Sequence, residues 1–256
     1  SIGSLGASGD LAPLADLALV LTGEGQAWFQ GELMDGGKAL AKAGIEPLRL
    51  EAKEGLALLN GTAFMTAIAS LSCDKAKRYL EAQNAAAALS LLGFDGTDAP
   101  FTEGLIATRP HFGAALVGNH MRRLVGGSAV TKGVGTRVQD PYSFRCVPQV
   151  HGAAVTALLH AIEVVTTEIN SSTDNPLVVG DQVISGGNFH GQPIGAVMDY
   201  LALAITSAAS MSERRVNQLL DPGQSRLPAF LIRDPGLNSG FMIAQYTSAS
   251  LVNECR

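Results

Sequence analysis

Residues 62–92 read TAFMTAIASLSCDKAKRYLEAQNAAAALSLL, and their periodicity decides the fold class. Ala and Leu dominate and apolar side chains recur every three or four positions, which predicts one long helix on the core side of a bundle, ended by Gly93 and Gly96. A second helix is predicted from near Pro148, a good first-turn residue, through Val150, Ala154, Ala157, Leu158, Ala161, Val164 and Val165 to about Glu168. The stretch NSSTDNP at 170–176 then breaks it. A third follows Ile194, Val197, Leu201, Ile205, Ala208, Met211 and Val216 from about Pro193 to Leu220, a rod about 40 Å long at 1.5 Å per residue. Shorter helical patterns occupy 11–21 and 239–254. Strand signals are confined to 48–51 and to 177–184, the latter with Gly180-Asp181 as a hairpin turn. The expectation is a mainly α long-helix bundle with short β pieces. Residues 1–256 contain no evident internal domain boundary and are expected to form a single helical-bundle region.

The bulk properties narrow the function. With 256 residues and 46% hydrophobic content, the chain can bury a large core. A net charge of −5, with adjacent arginines only at 122–123 and 214–215, offers no basic face for nucleic acid. Mean hydropathy is +0.20, yet no run approaches the roughly 18 unbroken apolar residues of a spanning helix. The richest stretch, 150–162, is interrupted by His151 and His160. The expectation is a protein without a membrane segment, whose helices are apolar on most sides because they lie inside a larger helical assembly. Cys73, Cys146 and Cys255 have no C-x-x-C spacing, so a reducing, cytoplasmic setting fits better than a disulfide framework or a zinc site. His111, His120, His151, His160 and His190 never form H-E-x-x-H, and no metal is expected. The chain begins inside a motif and its last helical pattern stops without a cap, as expected of a fragment of a longer polypeptide.

One motif asks for more than a bundle needs. Residues 2–17, IGSLGASGDLAPLADL, place Ala7, Ser8 and Gly9 in a glycine-spaced turn before a helix that Asp10 is positioned to cap. A simple connection is one reading. Phosphate binding at the helix start is a second, but neither G-x-G-x-x-G nor G-x-x-x-x-G-K-[ST] is present. A hydrolase nucleophile at Ser8 is a third, but Asp10 stands where G-x-S-x-G has its last glycine. A helical scaffold without catalytic function is the remaining alternative.

Read together with the loops, this turn resembles the aromatic amino acid ammonia-lyase family, and within it the histidine-specific members most. The matching stretches are GSLGASGDLAPLA at 3–15, KEGLALLNGT at 53–62, VQDPYSFRCVPQVHGA at 138–153, SSTDNPLV at 171–178, GGNFHGQP at 186–193 and DPGLNSGFMIAQ at 234–245. Asp16, where histidine is frequent, and Tyr246, where smaller residues are usual, depart from the commonest pattern. The resemblance implies a long-helix bundle of the fumarase/aspartase-like type. It also implies that Ala7-Ser8-Gly9 cyclises autocatalytically to 4-methylideneimidazol-5-one (MIO). In that chemistry the Gly9 nitrogen attacks the Ala7 carbonyl carbon, which a residue without Cβ approaches most easily, and Ser8 loses its hydroxyl as a second water. The product is an electrophile, which no ordinary side chain provides.

The implied reaction is elimination of ammonia from an aromatic α-amino acid, most simply L-histidine to trans-urocanate. A tyrosine or phenylalanine lyase, or an aminomutase, is the alternative within the family. By the same resemblance Asn60 lies beside the MIO group, Tyr142 beside its methylene and the substrate amine, and Phe189 shapes the pocket and assists cyclisation. Arg145 clamps the substrate carboxylate in a two-bond fork, with Gln139 a hydrogen-bonding neighbour. Each alone has an ordinary reading: Asn60 a helix cap, Tyr142 and Phe189 core residues, Arg145 a surface ion pair. The family pattern further implies a homotetramer with shared active sites, and a proton acceptor from outside these 256 residues.

Overall fold

The expected rods form within about one residue of their sequence limits. A computed structural model describes residues 8–128 and 137–256. In chain order the elements are α1 (Leu11–Leu21), β1 (Gln26–Phe29), β2 (Glu32–Asp35), α2 (Gly36–Ala43), α3 (Glu54–Leu59), α4 (Ala63–Gly93), α5 (Glu103–Ala107), α6 (Phe112–Val125) and α7 (Tyr142–Arg145). They continue with α8 (Val147–Ile169), β3 (Leu177–Val179), β4 (Gln182–Ile184), α9 (Gln192–Leu220), α10 (Pro222–Ser225) and α11 (Met242–Glu254). The long helix α4 contains no glycine or proline before Gly93, so nothing interrupts its hydrogen-bond ladder for 31 residues.

The chain forms two compact units: residues up to Ser72 with Ala161–Met198, and Cys73–His160 with Asp199–Arg256. The first holds α1 packed on α2 and α3, and both hairpins. Hairpin β3–β4 turns at Gly180-Asp181 as expected, pairing Leu177 with Ile184 and Val179 with Gln182. The other hairpin, which pairs Gln26 with Asp35 and Trp28 with Leu33, was not signalled by its weakly alternating sequence. Its turn uses positive φ at Gln30 and Gly31, as two-residue hairpin turns do. Residues 48–51, by contrast, form no strand. The Leu48 N–H bonds only the Leu21 carbonyl at the end of α1, and no second strand lies beside it among the described residues.

The second unit carries a dense apolar core in which Leu91, Phe94, Phe101, Val117, Met121 and Phe144 are at most 1% exposed. Phe94 and Phe144 stack with centroids 4.4 Å apart. Elsewhere the long helices leave large apolar side chains in the open, including Ile68, Leu71 and Leu89 on α4 and Leu203 on α9. By averaged hydropathy, though not by unbroken run, three helical stretches are long and apolar enough to cross a membrane: Glu54–Gly93, Val147–Ile169 and Gln192–Leu220, at 1.5, 1.3 and 1.5. The same stretches carry charges well inside their length, among them Asp74, Lys77, Arg78 and Glu81 on α4 and Glu213, Arg214 and Arg215 on α9.

Candidate active site

Within the first unit, Gly9 and Asp10 press against Gly61. Ser8 is exposed, whereas Gly9 and Asp10 are buried; Ala7 lies outside the described residues. Gly9 adopts φ +81°, and a Cβ there would fall inside contact distance of the backbone N, C and O of Gly61. Only glycine fits at the third position of the triplet. The Asp10 N–H donates to the Gly61 carbonyl at 2.7 Å, which ties the two segments together.

The side chain of Asp10 does not cap α1, as the sequence suggested. It makes no cap bond there, although its carbonyl accepts the first helical bond, from Leu14. Instead its carboxylate reaches α4, where the N–H of Met65, the third helical residue, donates to Oδ2 at 2.7 Å. A buried carboxylate is thus set at the start of a long helix, where it satisfies an otherwise orphaned donor. The Ser8–Asp10 corner is anchored to α4, the longest rod among the described residues, rather than only to the short helix that follows it.

Asn60 is nearly buried and follows α3, but its side chain turns to the 171–176 segment rather than capping the helix. Its amide nitrogen donates to the Asn175 carbonyl at 3.0 Å and to Asp174 Oδ1 at 3.4 Å. With both donors engaged, Oδ1 is the part of the amide left to meet a ligand. Lys53 forms an ion pair with the same Asp174. Thr62 donates to Glu168 Oε1 at 2.5 Å, and its N–H donates to Thr173 Oγ1 at 3.3 Å. A Cβ on Gly61 would lie 2.5 Å from the Thr173 carbonyl oxygen, so this approach too is backbone against backbone. Asn175 Oδ1 in turn accepts from Gly186 N at 2.7 Å, and Asn188 donates to Ser172 O at 3.3 Å. Asn60 and the loop carrying the half-buried Phe189 therefore share one support, the 171–176 segment.

Within the second unit, α7 presents Tyr142 and Arg145 on one side of a single helical turn. Tyr142 is 69% exposed, and the Arg145 guanidinium carbon sits 4.4 Å from the centre of its ring. Arg145 is in no ion pair among the described residues, and its Nε is buried without a hydrogen-bond partner. The surface ion pair expected of a lone arginine is absent, and the guanidinium has donors to offer an anion. Gln139 is exposed, next to a buried Asp140 whose Oδ2 accepts from Thr97 N at 2.8 Å.

Behind α7 lies a polar core that the sequence reading did not anticipate. Arg215, 1% exposed, donates to the Ser143 carbonyl and to Gln83 Oε1, both at 3.2 Å. Burial pulls its pKa down to about 10. His151, fully buried, meets Asn84 Oδ1 through Nδ1 at 2.8 Å, while its Nε2 has no partner. Burial and the Arg215 charge depress its pKa to about 3, so it is neutral. A signal for Arg215 existed. Ala208, Met211 and Arg215 follow the three- and four-residue steps of α9's buried face, so the charge falls in core register. No group of three metal-ligating side chains occurs among the described residues.

A scaffold of long helices, with a glycine-only corner in one unit and a guanidinium without an ion pair in the other, fits a class of helical lyases. The model of the family described as aromatic amino acid lyase matches residues 1–256. A histidine ammonia-lyase from Myxococcus xanthus is 52% identical over 99% of this chain and 51% of its own length. Among solved structures, histidine ammonia-lyase from Trypanosoma cruzi is 40% identical with a TM-score of 0.88, over 97% of this chain and 48% of its own. Tyrosine aminomutase from Streptomyces globisporus is also 40% identical, with a TM-score of 0.92 over 100% of this chain and 52% of its own. The chain belongs to the aromatic amino acid lyase family. It spans about half the length of the curated relatives it matches.

Proposed function

We propose that the complete polypeptide is an MIO-dependent carbon–nitrogen lyase that converts L-histidine to trans-urocanate and ammonia. The observation that carries this reading is the Ser8-Gly9 corner: an exposed serine followed by a buried glycine of positive φ that is packed where no Cβ fits. The residues present suit an MIO group built from Ala7, Ser8 and Gly9. Such a group supplies an electron sink that makes a poor leaving group and a weakly acidic proton tractable.

The remaining roles belong to the chain's own side chains. Arg145, with donors to spare, holds the substrate carboxylate. Tyr142, stacked under that guanidinium and open to solvent, meets the amine of a substrate whose carboxylate Arg145 holds. Asn60 offers Oδ1 as an acceptor because Asp174 and Asn175 occupy its donors. Phe189 contributes an apolar wall, and Gln139 a polar neighbour to the carboxylate. Metal has no part in this scheme.

The exposed apolar residues on α4 and α9 support burial between subunits of a homotetramer with shared active sites. The charges within the same helices favour a water-soluble, cytoplasmic assembly over a membrane location. Histidine is the preferred substrate because of the identity to the Myxococcus protein. An aminomutase acting on tyrosine is the second reading, favoured by the Streptomyces structure at equal identity. The test is to incubate the complete polypeptide with L-histidine, L-tyrosine and L-phenylalanine and follow the unsaturated acid by absorbance and the β-amino acid by chromatography. Urocanate from histidine alone supports the proposal; a β-amino acid as the main product, or no reaction with histidine, overturns it.

A further inference from the structure

Arg215 is the largest fully buried side chain among the described residues. Burying a guanidinium costs several kcal/mol unless its hydrogen bonds are met, and among the described residues no carboxylate pairs with this one. Its donors instead go to the Gln83 amide and to a backbone carbonyl, that of Ser143.

That carbonyl belongs to α7, the one turn that carries Tyr142 and Arg145. A single turn has almost no helical stability of its own. Its N–H bonds run back to Pro141 O, from Phe144 and Arg145, while Cys146 N bonds Tyr142 O. The ladder into α8 is broken at the Phe144 carbonyl, because Pro148, four residues on, has no N–H to give. Ser143 is buried, and besides a helical bond from Val147 its carbonyl has a second lone pair open to a partner from elsewhere. Arg215 supplies one through a charge-assisted bond. The neighbouring Phe144, stacked on Phe94, fixes how deep the turn sits, and the Arg215 bond fixes how it is rotated.

We propose that Arg215 is a positioning residue for the carboxylate clamp: by holding the Ser143 carbonyl it sets the angle at which α7 presents Arg145 to the substrate. This rests on the reading of Arg145 as the clamp, and the test separates the two. In the complete polypeptide carrying Ser8→Ala, so that nothing turns over, calorimetry compares binding of L-histidine with that of histamine, which lacks the carboxylate. Arg145→Lys must weaken histidine more than histamine; if it does not, the clamp reading itself fails.

Given that, Arg215→Met is expected to weaken histidine about tenfold while histamine changes less than about twofold, and Arg215→Lys to recover part of the loss. Added to Arg145→Ala, Arg215→Met is expected to cost less than a further twofold or so, because it acts through the residue already removed. Should Arg215→Met fail to fold, Gln83→Met loosens the same guanidinium from its other partner, and a smaller shift with the same ligand selectivity is expected. Equal weakening of both ligands, or full additivity with Arg145→Ala, would show that Arg215 only holds the core together.

Discussion

The Ser8–Asp10 corner and the α7 turn are built in opposite ways. At the corner, main chain packs on main chain: Asp10 N on Gly61 O, the Gly9 Cα face on Gly61, and Gly61 on the Thr173 carbonyl. At α7, side chains anchor the backbone, with Phe144 stacked in the apolar core and Arg215 on the Ser143 carbonyl. The difference suits what the proposed function asks of each. On the proposed function, a triplet that cyclises on itself needs its own backbone held in an unusual shape, and neighbouring backbone can approach it without adjustable side chains between. A clamp needs two side chains free to meet a ligand, so their turn is secured from behind. Preorganisation in one region is steric and in the other electrostatic.

The comparison breaks most visibly at Gly9. Gly9→Ala is expected to destabilise the protein by about 3 kcal/mol or more, because a rigid backbone wall meets the new methyl and φ is positive. Gly104→Ala, in α5 with open space around it, is expected to be neutral or slightly stabilising. Denaturant melts of the pair check this, and similar midpoints would refute the tight corner.

At α7 the expected loss is in function. Arg145→Lys keeps the charge but not the fork, and is expected to lower kcat/KM by the equivalent of about 1–3 kcal/mol with the melting temperature nearly unchanged. An unchanged kcat/KM would remove Arg145 from the site.

Asp10→Ala tests the anchor on α4. Loss of the Met65 N–H partner is expected to cost about 0.5–2 kcal/mol of stability, and Asp10→Asn, which keeps an acceptor, appreciably less. Equal losses would mean that charge, not the hydrogen bond, holds the loop.

The smallest effect concerns pH and the core behind α7. His151 has a folded pKa near 3 against 6.5 unfolded, so the unfolded chain binds the proton first. Stability from this group is complete above about pH 6.5 and declines as pH falls toward 3. His151→Gln is expected to change stability by less than about 1 kcal/mol at pH 7.5 but to flatten its decline between about pH 6 and 4. Parallel pH profiles for the two proteins would contradict this.

The three long helices were legible because 3.6-residue periodicity over 23 to 31 residues leaves little room for another structure, and the β3–β4 turn because Gly180-Asp181 is a strong local signal. Residues 48–51 failed because β-like composition is not enough without a neighbouring strand. Asn60, Tyr142 and Arg145 were visible as motif residues, whereas their supports were not. Asp10 was assigned to the adjacent helix because sequence shows nearest neighbours, and its real partner, Met65, arrives from 55 residues away. Arg215 was seen only as half of an arginine pair, since hydrogen bonding to a distant carbonyl leaves no trace in composition.

The measurement that bears most directly on the account is the mass of the peptide spanning residues 7–9, isolated from the complete polypeptide. The account predicts a peptide lighter by two waters, with added near-ultraviolet absorbance that Ser8→Ala abolishes while the helical content stays unchanged. An unmodified mass in protein that releases ammonia from histidine would contradict it.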